Sequence, residues 1–295
     1  MRNNFKTLIL LATLGALFVV IGQVLGGTSG ATIALGFAAL MNFGMYFFSH
    51  KIALASAKAK PVTEQELPEV YSMVRSLAQR DGLPMPAIYL IDSPQPNAFA
   101  TGRNPKHAAV AVTTGILQLM DRQELEGVLA HELGHVKNRD ILIATIAATV
   151  AVALTFLVRM AFWTGMGGGD RRNNNPAAMI VGILAIILAP LAAMVIQSAI
   201  SRSREYEADR TGAELTGSPL SLARALEKLD IGTSQIPMKV NDATAQLFIA
   251  DPLKAFGRRG SGAMGGMGRL FSTHPPIEAR VERLTQMAHG GGIER

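Results

Sequence analysis

The chain has 295 residues and carries few charges for its size. Only 17% of its residues are charged and 49% are hydrophobic, whereas a soluble domain carries about 25% charged residues. We therefore expect part of the chain to lie in lipid. Lys and Arg outnumber Asp and Glu by 28 to 22, but no basic run with interleaved aromatic residues occurs, so a nucleic-acid partner is not expected. The absence of cysteine excludes disulfides and cysteine-based metal sites.

Four apolar runs predict four transmembrane helices. They are Thr7 to Val24, Ala31 to Phe48, Ile141 to Val158, and Ala177 to Ile200 with Pro190 inside it. Each run has roughly the length that crosses a hydrocarbon core of about 30 Å. The first two predict a retained hairpin rather than a cleaved signal peptide, because the first apolar core is too long and a second follows almost at once. For the second pair, the alternative is two buried or half-inserted helices.

Basic residues flank these runs and predict how the chain is oriented. The flanking residues that share one side are Arg2, Lys6, Lys51, Lys58, Lys60, Lys137, Arg139, Arg202 and Arg204. By the positive-inside rule this side is the cytoplasm. Arg171 and Arg172 fall on the opposite side and weaken the assignment. The predicted organisation is a hairpin at 1–50, a first cytoplasmic part at 51–140, a second hairpin at 141–200 and a second cytoplasmic part at 201–295.

The two cytoplasmic parts show both helical and strand patterns. Helical spacing predicts helices over Thr63–Arg80, Leu220–Leu229 and Pro276–Met287, and short apolar runs predict strands over Ala87–Ile91 and His107–Thr113. The residues from Ser93 to Gly102 read as a turn-rich connection between the strands. The predicted fold class is α+β and mainly helical, with a small sheet.

The segment His131-Glu132-Leu133-Gly134-His135 has the spacing of a catalytic metal site. Asp121 and Glu124 predict a capping box at the start of the helix that would carry it. Residues four apart share a helix face, so both imidazoles could bind one zinc ion. Glu132 would then lie close enough to take a proton from an activated water.

Glu205 is the predicted third metal ligand. It lies in the segment Glu205-Tyr206-Glu207-Ala208-Asp209, where Glu205 and Asp209 share a helix face, so that Asp209 could hold a ligating histidine by its other ring nitrogen. The second hairpin would bring Glu205 and His135 to similar depths, each roughly 8–9 Å above the membrane boundary at 1.5 Å per residue. The alternative is that Glu205 is a solvated charge beside the membrane.

These motifs, together with Thr273-His274-Pro275-Pro276, resemble those of the M48 metalloproteases, and within them the bacterial heat-shock branch. The resemblance implies a gluzincin-type fold with one zinc per chain and Glu205 as third ligand. It also implies a multi-pass location in the bacterial inner membrane, with the protease domain facing the cytoplasm. The expected substrates are misfolded or damaged membrane proteins. The eukaryotic branch that trims prenylated proteins has more spans, so such substrates are not expected.

The resemblance also assigns roles to residues outside the zinc site. Asn97, Ala98 and Phe99 match the family's Asn-Ala-aromatic stretch, which leads toward the strand at the edge of the substrate cleft. The sequence predicts that this edge strand is His107–Thr113 and that substrate pairs with it. His274 matches the position thought to stabilise the oxyanion, and Arg280 follows at a helical distance from which it could orient His274.

Two other functions compete with peptide hydrolysis. A non-catalytic zinc-binding membrane scaffold is the main alternative, although a purely structural site would not need Glu132 and would close its fourth position. A transporter or channel component is less favoured, because the apolar runs contain few of the ionisable groups that ion paths need.

Overall fold

The structure is a computed structural model that describes residues 2–146, 202–240, 242–257 and 275–290. Most of the second predicted hairpin, including Pro190, lies outside the described residues, and so does His274. Of that hairpin the structure describes only the start, where residues 141–146 are helical.

The N-terminal helix α1, Arg2–Ser56, is two helical arms joined at a break. The break lies at Gly26 and Gly27, and Gly27 has a φ of 59°, which favours glycine. The arms contact each other along their length: the side-chain amide of Asn42 donates to the carbonyl oxygen of Leu11 at 3.0 Å. Among the described residues, the stretch Gly26–Ser56 is long and apolar enough to cross a membrane. Four spans stay a prediction.

A four-stranded mixed sheet follows the apolar helix. The strands are β1 (Lys60–Pro61), β2 (Ala87–Ile91), β3 (Ala98–Gly102) and β4 (Ala108–Thr113). Their order is β1-β2-β4-β3, with β2 and β4 parallel and the other pairs antiparallel.

The sheet corrects two sequence predictions. The strand β3 lies inside the stretch from Ser93 to Gly102 that was predicted to be a turn-rich connection. The predicted edge strand, His107–Thr113, is also wrong as an edge, because β4 has β2 on one side and β3 on the other. The edge strand beside β4 is therefore β3, and His107 belongs to a 3-10 turn, Pro105–His107, that precedes β4.

The described helices surround one face of this sheet. They are α2 (Pro68–Arg80), α3 (Thr114–Leu119), α4 (Arg122–Lys137), α5 (Arg202–Thr216), α6 (Pro219–Gln235), α7 (Asp242–Ala245), α8 (Lys254–Gly257) and α9 (Ile277–Ala288). Helix α2 begins later than predicted because Glu66 folds the preceding residues into a turn, where its carboxylate accepts from the Thr63 N–H at 2.6 Å. Helix α6 continues past its predicted end, and α9 matches its prediction closely.

Two apolar clusters join these elements. The larger lies between the sheet and helices α2, α4 and α6, and includes Leu77, Val110 and Leu129, all fully buried. The smaller connects the end of the apolar helix to the other face of the sheet. There Phe99 packs edge-to-face on Phe248, with ring centroids 4.9 Å apart. The apolar helix is thus fixed to the sheet by packing.

Helices α4 and α5 approach closely because small residues line their interface. A Cβ built on Gly212 would lie 2.9 Å from the backbone nitrogen of His131, and one on Gly134 would lie 3.3 Å from the Cα of Ala208. Only glycine fits at Gly212 without moving a backbone. This close contact sets the separation between the two helices that carry the predicted metal ligands.

We expect Gly212→Ala to destabilise the fold by about 1–3 kcal/mol, because the added methyl overpacks a backbone contact that cannot yield. The measurement is thermal unfolding of the purified chain in detergent. Gly36→Ala is the matched control, since a Cβ there meets nothing within 4 Å. Equal unfolding temperatures for the two variants would contradict the close-contact explanation.

Candidate metal centre

The helix α4 is fixed at its start and buried along its length. Asp121 and Glu124 form the predicted capping box, with both reciprocal hydrogen bonds present. Glu124 is buried, and its carboxylate also accepts from the Lys228 ammonium of α6 at 2.6 Å. The prediction of a capped motif helix is confirmed. The helix therefore presents its polar side chains from a rigid element in the core.

Three predicted ligands meet at one point. Side-chain atoms of His131, His135 and Glu205 lie within 4.8 Å of one another. The Nε2 atoms of the two histidines are 3.1 Å apart. Glu205 Oε1 lies 3.6 Å from His135 Nε2, and Glu205 Oε2 lies 3.9 Å from His131 Nε2. Helix α5 thus brings Glu205 to the face of α4 that carries both imidazoles.

The spacing of these atoms fits a tetrahedral metal ion. With metal–nitrogen bonds of about 2.0–2.1 Å, neighbouring corners of a tetrahedron lie about 3.3 Å apart. The separations of 3.1 to 3.9 Å among the ligand atoms of His131, His135 and Glu205 are close to this value. Two imidazoles and one carboxylate leave a fourth corner available, as in catalytic rather than structural sites.

A buried ion pair holds His131 from behind. The Nδ1 atom of His131 lies 2.9 Å from Asp209 Oδ1. Arg280 of α9 donates to the same carboxylate through two nitrogens, at 2.8 and 2.6 Å, and its side chain is fully buried. Burial would raise the pKa of Asp209, but Arg280 lowers it to about 2, so the carboxylate is ionised. An ionised Asp209 keeps the proton of His131 on Nδ1 and leaves Nε2 facing the site.

Arg280 also connects the site to the chain beyond α6. Its Nη1 donates to the carbonyl oxygen of Ile249 at 3.2 Å and lies 3.7 Å from Glu205 Oε2. The predicted partner of Arg280, His274, lies outside the described residues, so that pairing stays a prediction. Within the described part of the chain, Arg280 contacts Asp209 and Glu205.

The structure adds a residue that the sequence analysis missed. Asp140 is buried, and its Oδ2 lies 3.1 Å from Nδ1 of His135. The chain turns toward it through Arg139, which has a φ of 56°, an unusual value for a residue other than glycine. The available signal was an aspartate within two turns of His135, at the point where the motif helix stops. Each histidine thus has its own carboxylate behind it.

The electrostatics around the histidines favour a bound cation. Burial lowers the pKa of His131 to about 4, so this ring is neutral at pH 7. Burial also acts to lower the pKa of His135, but the carboxylates of Asp140, Glu205 and Glu132 raise it to about 10. Three carboxylates in a buried space demand a positive charge nearby. A divalent metal ion bound between the imidazoles would supply that charge.

The predicted substrate-binding residues are buried. Asn97, Ala98 and Phe99 are each fully buried. The Asn97 side-chain amide donates to the Ala250 carbonyl oxygen at 2.8 Å, and the Ala98 carbonyl oxygen accepts from the Ile249 N–H at 3.0 Å. These side chains hold the segment around residue 250 against β3. Their role in substrate binding stays a prediction.

The comparison with known proteins decides the family. A model of the family described as "Peptidase family M48" matches residues 64–288. The chain belongs to peptidase family M48. The match spans the sheet, the motif helix and both helices that complete the candidate metal centre. The chain is thus a metalloprotease, as the resemblance of its motifs predicted.

Close relatives cover the whole chain. A "Protease HtpX homolog" of Thermodesulfovibrio yellowstonii is 53% identical over 97% of this chain and 99% of the relative. Proteins of the same name from Ralstonia pickettii and Burkholderia thailandensis are each 51% identical, over 99% and 100% of this chain respectively. The apolar N-terminal helix is therefore part of what this M48 peptidase shares with its relatives.

A solved structure supports the fold. Crystalline Ste24p of S. mikatae superposes with a TM-score of 0.50 at 19% sequence identity, covering 96% of this chain. This chain spans only 65% of the length of that protein. The likeness shows a shared fold with a membrane-associated architecture to compare, and at this identity it shows nothing further about activity.

Proposed function

We propose that this M48 peptidase is a zinc-dependent endopeptidase of the bacterial inner membrane that hydrolyses misfolded or damaged membrane proteins. The observation that carries the proposal is the meeting of His131, His135 and Glu205 within 4.8 Å, with Glu132 buried beside them on the same rigid helix. The names of the relatives, which are bacterial heat-shock-type proteases by the resemblance above, support a role in protein quality control under stress.

Zinc is the metal that suits these ligands best. Two imidazoles and one carboxylate are the donor set of many catalytic zinc sites. We propose that His131, His135 and Glu205 hold one zinc ion per chain, with Asp209, Arg280 and Asp140 behind them. When bound, the metal would supply Lewis acidity, which lowers the pKa of a water and polarises the scissile carbonyl.

Glu132 is the proposed general base. It follows His131 directly on α4, and its side chain is only 2% exposed, so its carboxylate lies in a site from which bulk water is largely excluded. Glu132 accepts a proton from the attacking water and then donates that proton to the leaving amine nitrogen. His274 is proposed to donate a hydrogen bond to the oxyanion that forms on the scissile carbonyl.

The proposed path of the substrate follows β3, the observed edge strand. In an antiparallel pair, the N–H and C=O of one residue point to the same side. Ala98 turns its carbonyl away from β4 to the Ile249 N–H, so Ala100 and Gly102 also direct their backbone groups outward. A substrate strand could pair with these two residues by β-augmentation. The segment at Ile249 would mark where such pairing ends.

The membrane arrangement is proposed as in the sequence analysis. It has hairpins at 1–50 and 141–200, with the protease parts 51–140 and 201–295 facing the cytoplasm. Support comes from the apolar stretch Gly26–Ser56 and from its packing against the sheet that leads to the metal centre. An active site joined to the membrane in this way would suit substrates that emerge from the bilayer.

The function is tested with the full chain purified in detergent. Cleavage of an unfolded soluble protein such as casein is compared with cleavage of a destabilised membrane protein, after chelation and after zinc is restored. We expect no cleavage without metal and recovery with about one zinc per chain. Cleavage that survives complete metal removal would refute the proposal, and bound zinc without cleavage of either substrate would favour the scaffold alternative.

We expect Asp140→Ala to weaken zinc binding by about 10–100-fold, because a carboxylate behind a ligating histidine fixes its tautomer and orientation. Competition with a chromophoric chelator measures the affinity. Asp92→Ala is the control, since Asp92 is exposed. An affinity equal to that of the unaltered chain would exclude the proposed role of Asp140.

A further inference from the structure

Basic side chains gather where the apolar helix ends. The tip of the β3–β4 hairpin, residues 103–107, lies against this end of the helix. The guanidinium carbon of Arg103 is 5.0 Å from the ring centroid of Phe47, and the Lys51 ammonium is 5.7 Å from that of Phe48. The two cations therefore lie beside the last aromatic rings of the apolar run.

Hydrogen bonds hold the hairpin tip in a defined conformation. Arg103 Nη2 lies 2.7 Å from His107 Nε2, and His107 Nδ1 lies 2.8 Å from Asn104 Oδ1. Because arginine can only donate, Nε2 of His107 accepts and Nδ1 carries the proton. His107 is thus neutral in this arrangement and orients Arg103. The other guanidinium N–H groups of Arg103 have no hydrogen-bond partner among the described residues.

The positive charge of this cluster is not balanced. In the part of the chain that the structure describes, Lys51, Arg103 and Lys106 form no ion pair with a carboxylate, although other surface cations do, as in the pair of Arg75 with Glu64. His50 lies among Arg103, Lys51 and His107, close enough to feel their charges. An oriented arginine with neighbouring cations and no carboxylate is suited to an anion.

The position of the cluster identifies the anion. Apolar side chains on the same helix are exposed, with Phe43 at 57% and Phe48 at 49%. In the proposed membrane placement these rings face lipid, and the hairpin tip lies at the depth of the headgroups. Basic residues immediately cytoplasmic of a membrane span attract anionic lipids. Guanidinium groups also match the geometry of phosphate oxygens.

We propose that the hairpin tip and the end of the apolar helix form a binding site for the phosphate of an anionic phospholipid. Arg103 donates to the phosphate oxygens, while Lys51 and Lys106 add charge around it. The site rests on the proposed membrane placement but not on the peptidase activity. Because residues 103–107 continue directly from β3, a bound lipid would hold the edge strand at a fixed height above the membrane.

The test uses the full chain in detergent, titrated with phosphatidylglycerol and, separately, with phosphatidylcholine. Native mass spectrometry counts the lipids retained. We expect phosphatidylglycerol to be retained more tightly, and Arg103→Gln and Lys51→Gln each to weaken its binding by about fivefold, the effect of one cation near a membrane surface. Arg122→Gln removes the same charge from an exposed position at the start of α4 and should leave binding unchanged.

Several results would overturn the site. These are equal retention of the two lipids by the unaltered chain, or equal losses in Arg122→Gln and Arg103→Gln. Competition by inorganic phosphate as strong as that by the lipid would assign the site to free phosphate instead. Lys51 is exposed, so Lys51→Gln keeps the test valid if Arg103→Gln does not fold. Carbonate extraction of membranes tests insertion separately, so a failure of the membrane placement is recognised on its own.

Discussion

Glu132→Gln is expected to retain bound zinc and to lose peptide hydrolysis by about 10²–10⁴-fold, the usual contribution of a positioned general base. The glutamine amide has nearly the same shape as the carboxylate but cannot accept a proton from water. Glu132 is not among the three side chains that meet at the candidate centre, so the metal has no reason to leave. The expected loss therefore lies in turnover rather than in metal content.

The measurement pairs kcat/KM on an unfolded substrate with zinc per chain by mass spectrometry. Glu126→Gln is the matched control, because Glu126 lies on the same helix, and its only ion pair among the described residues is a 3.7 Å contact with Arg80. The control should keep nearly full activity. Turnover by Glu132→Gln within a few-fold of normal would remove Glu132 from the mechanism, and loss of zinc would make it a structural residue instead.

Arg280→Met is expected to produce the largest loss of stability, about 3–5 kcal/mol, because removing one partner of a buried ion pair leaves the other charge uncompensated. Asp209 is 3% exposed and Arg280 is fully buried, so water cannot replace the lost hydrogen bonds. Since Asp209 also orients His131, the affinity for zinc should fall as well.

A double variant separates these two effects. In Arg280→Met combined with Asp209→Leu no charge is left unpaired, so much of the stability should return, while zinc affinity stays low because His131 has lost its carboxylate. Arg283→Met is the control on the same helix, where only a cation–π contact with Tyr206 at 4.1 Å is lost. Thermal unfolding and chelator competition measure the two quantities. Equal unfolding temperatures for Arg280→Met and Arg283→Met would show that the buried pair contributes nothing to stability.

Strong local signals made part of the fold predictable. The capping box of Asp121 and Glu124 fixed the start of α4, and the structure has both of its hydrogen bonds. The β-branched and aromatic run Ala87–Ile91 forms a strand with the predicted bounds. The four-residue spacings of His131 with His135 and of Glu205 with Asp209 depend only on helix geometry, so their placement on shared faces could be derived from sequence.

Features that depend on distant contacts could not be derived in the same way. The segment Ala98–Gly102 is rich in small residues and becomes a strand through its pairing with β4 and its burial on both faces. The order of strands follows from tertiary packing, so β4 was mistaken for an edge. Asp140 was missed because no periodicity connects it to His135, and the contact arises only where the chain turns after α4.

The direct test of the metal centre is X-ray absorption at the zinc edge, on the unaltered chain and on Glu205→Gln. We predict one zinc with two imidazole nitrogens and light oxygen ligands at about 2.0–2.1 Å in the unaltered chain. In Glu205→Gln the two imidazoles should remain while the carboxylate contribution and most of the affinity are lost. A zinc environment with other than two imidazoles, or one that Glu205→Gln leaves unchanged, would contradict the assignment of His131, His135 and Glu205 as the metal ligands.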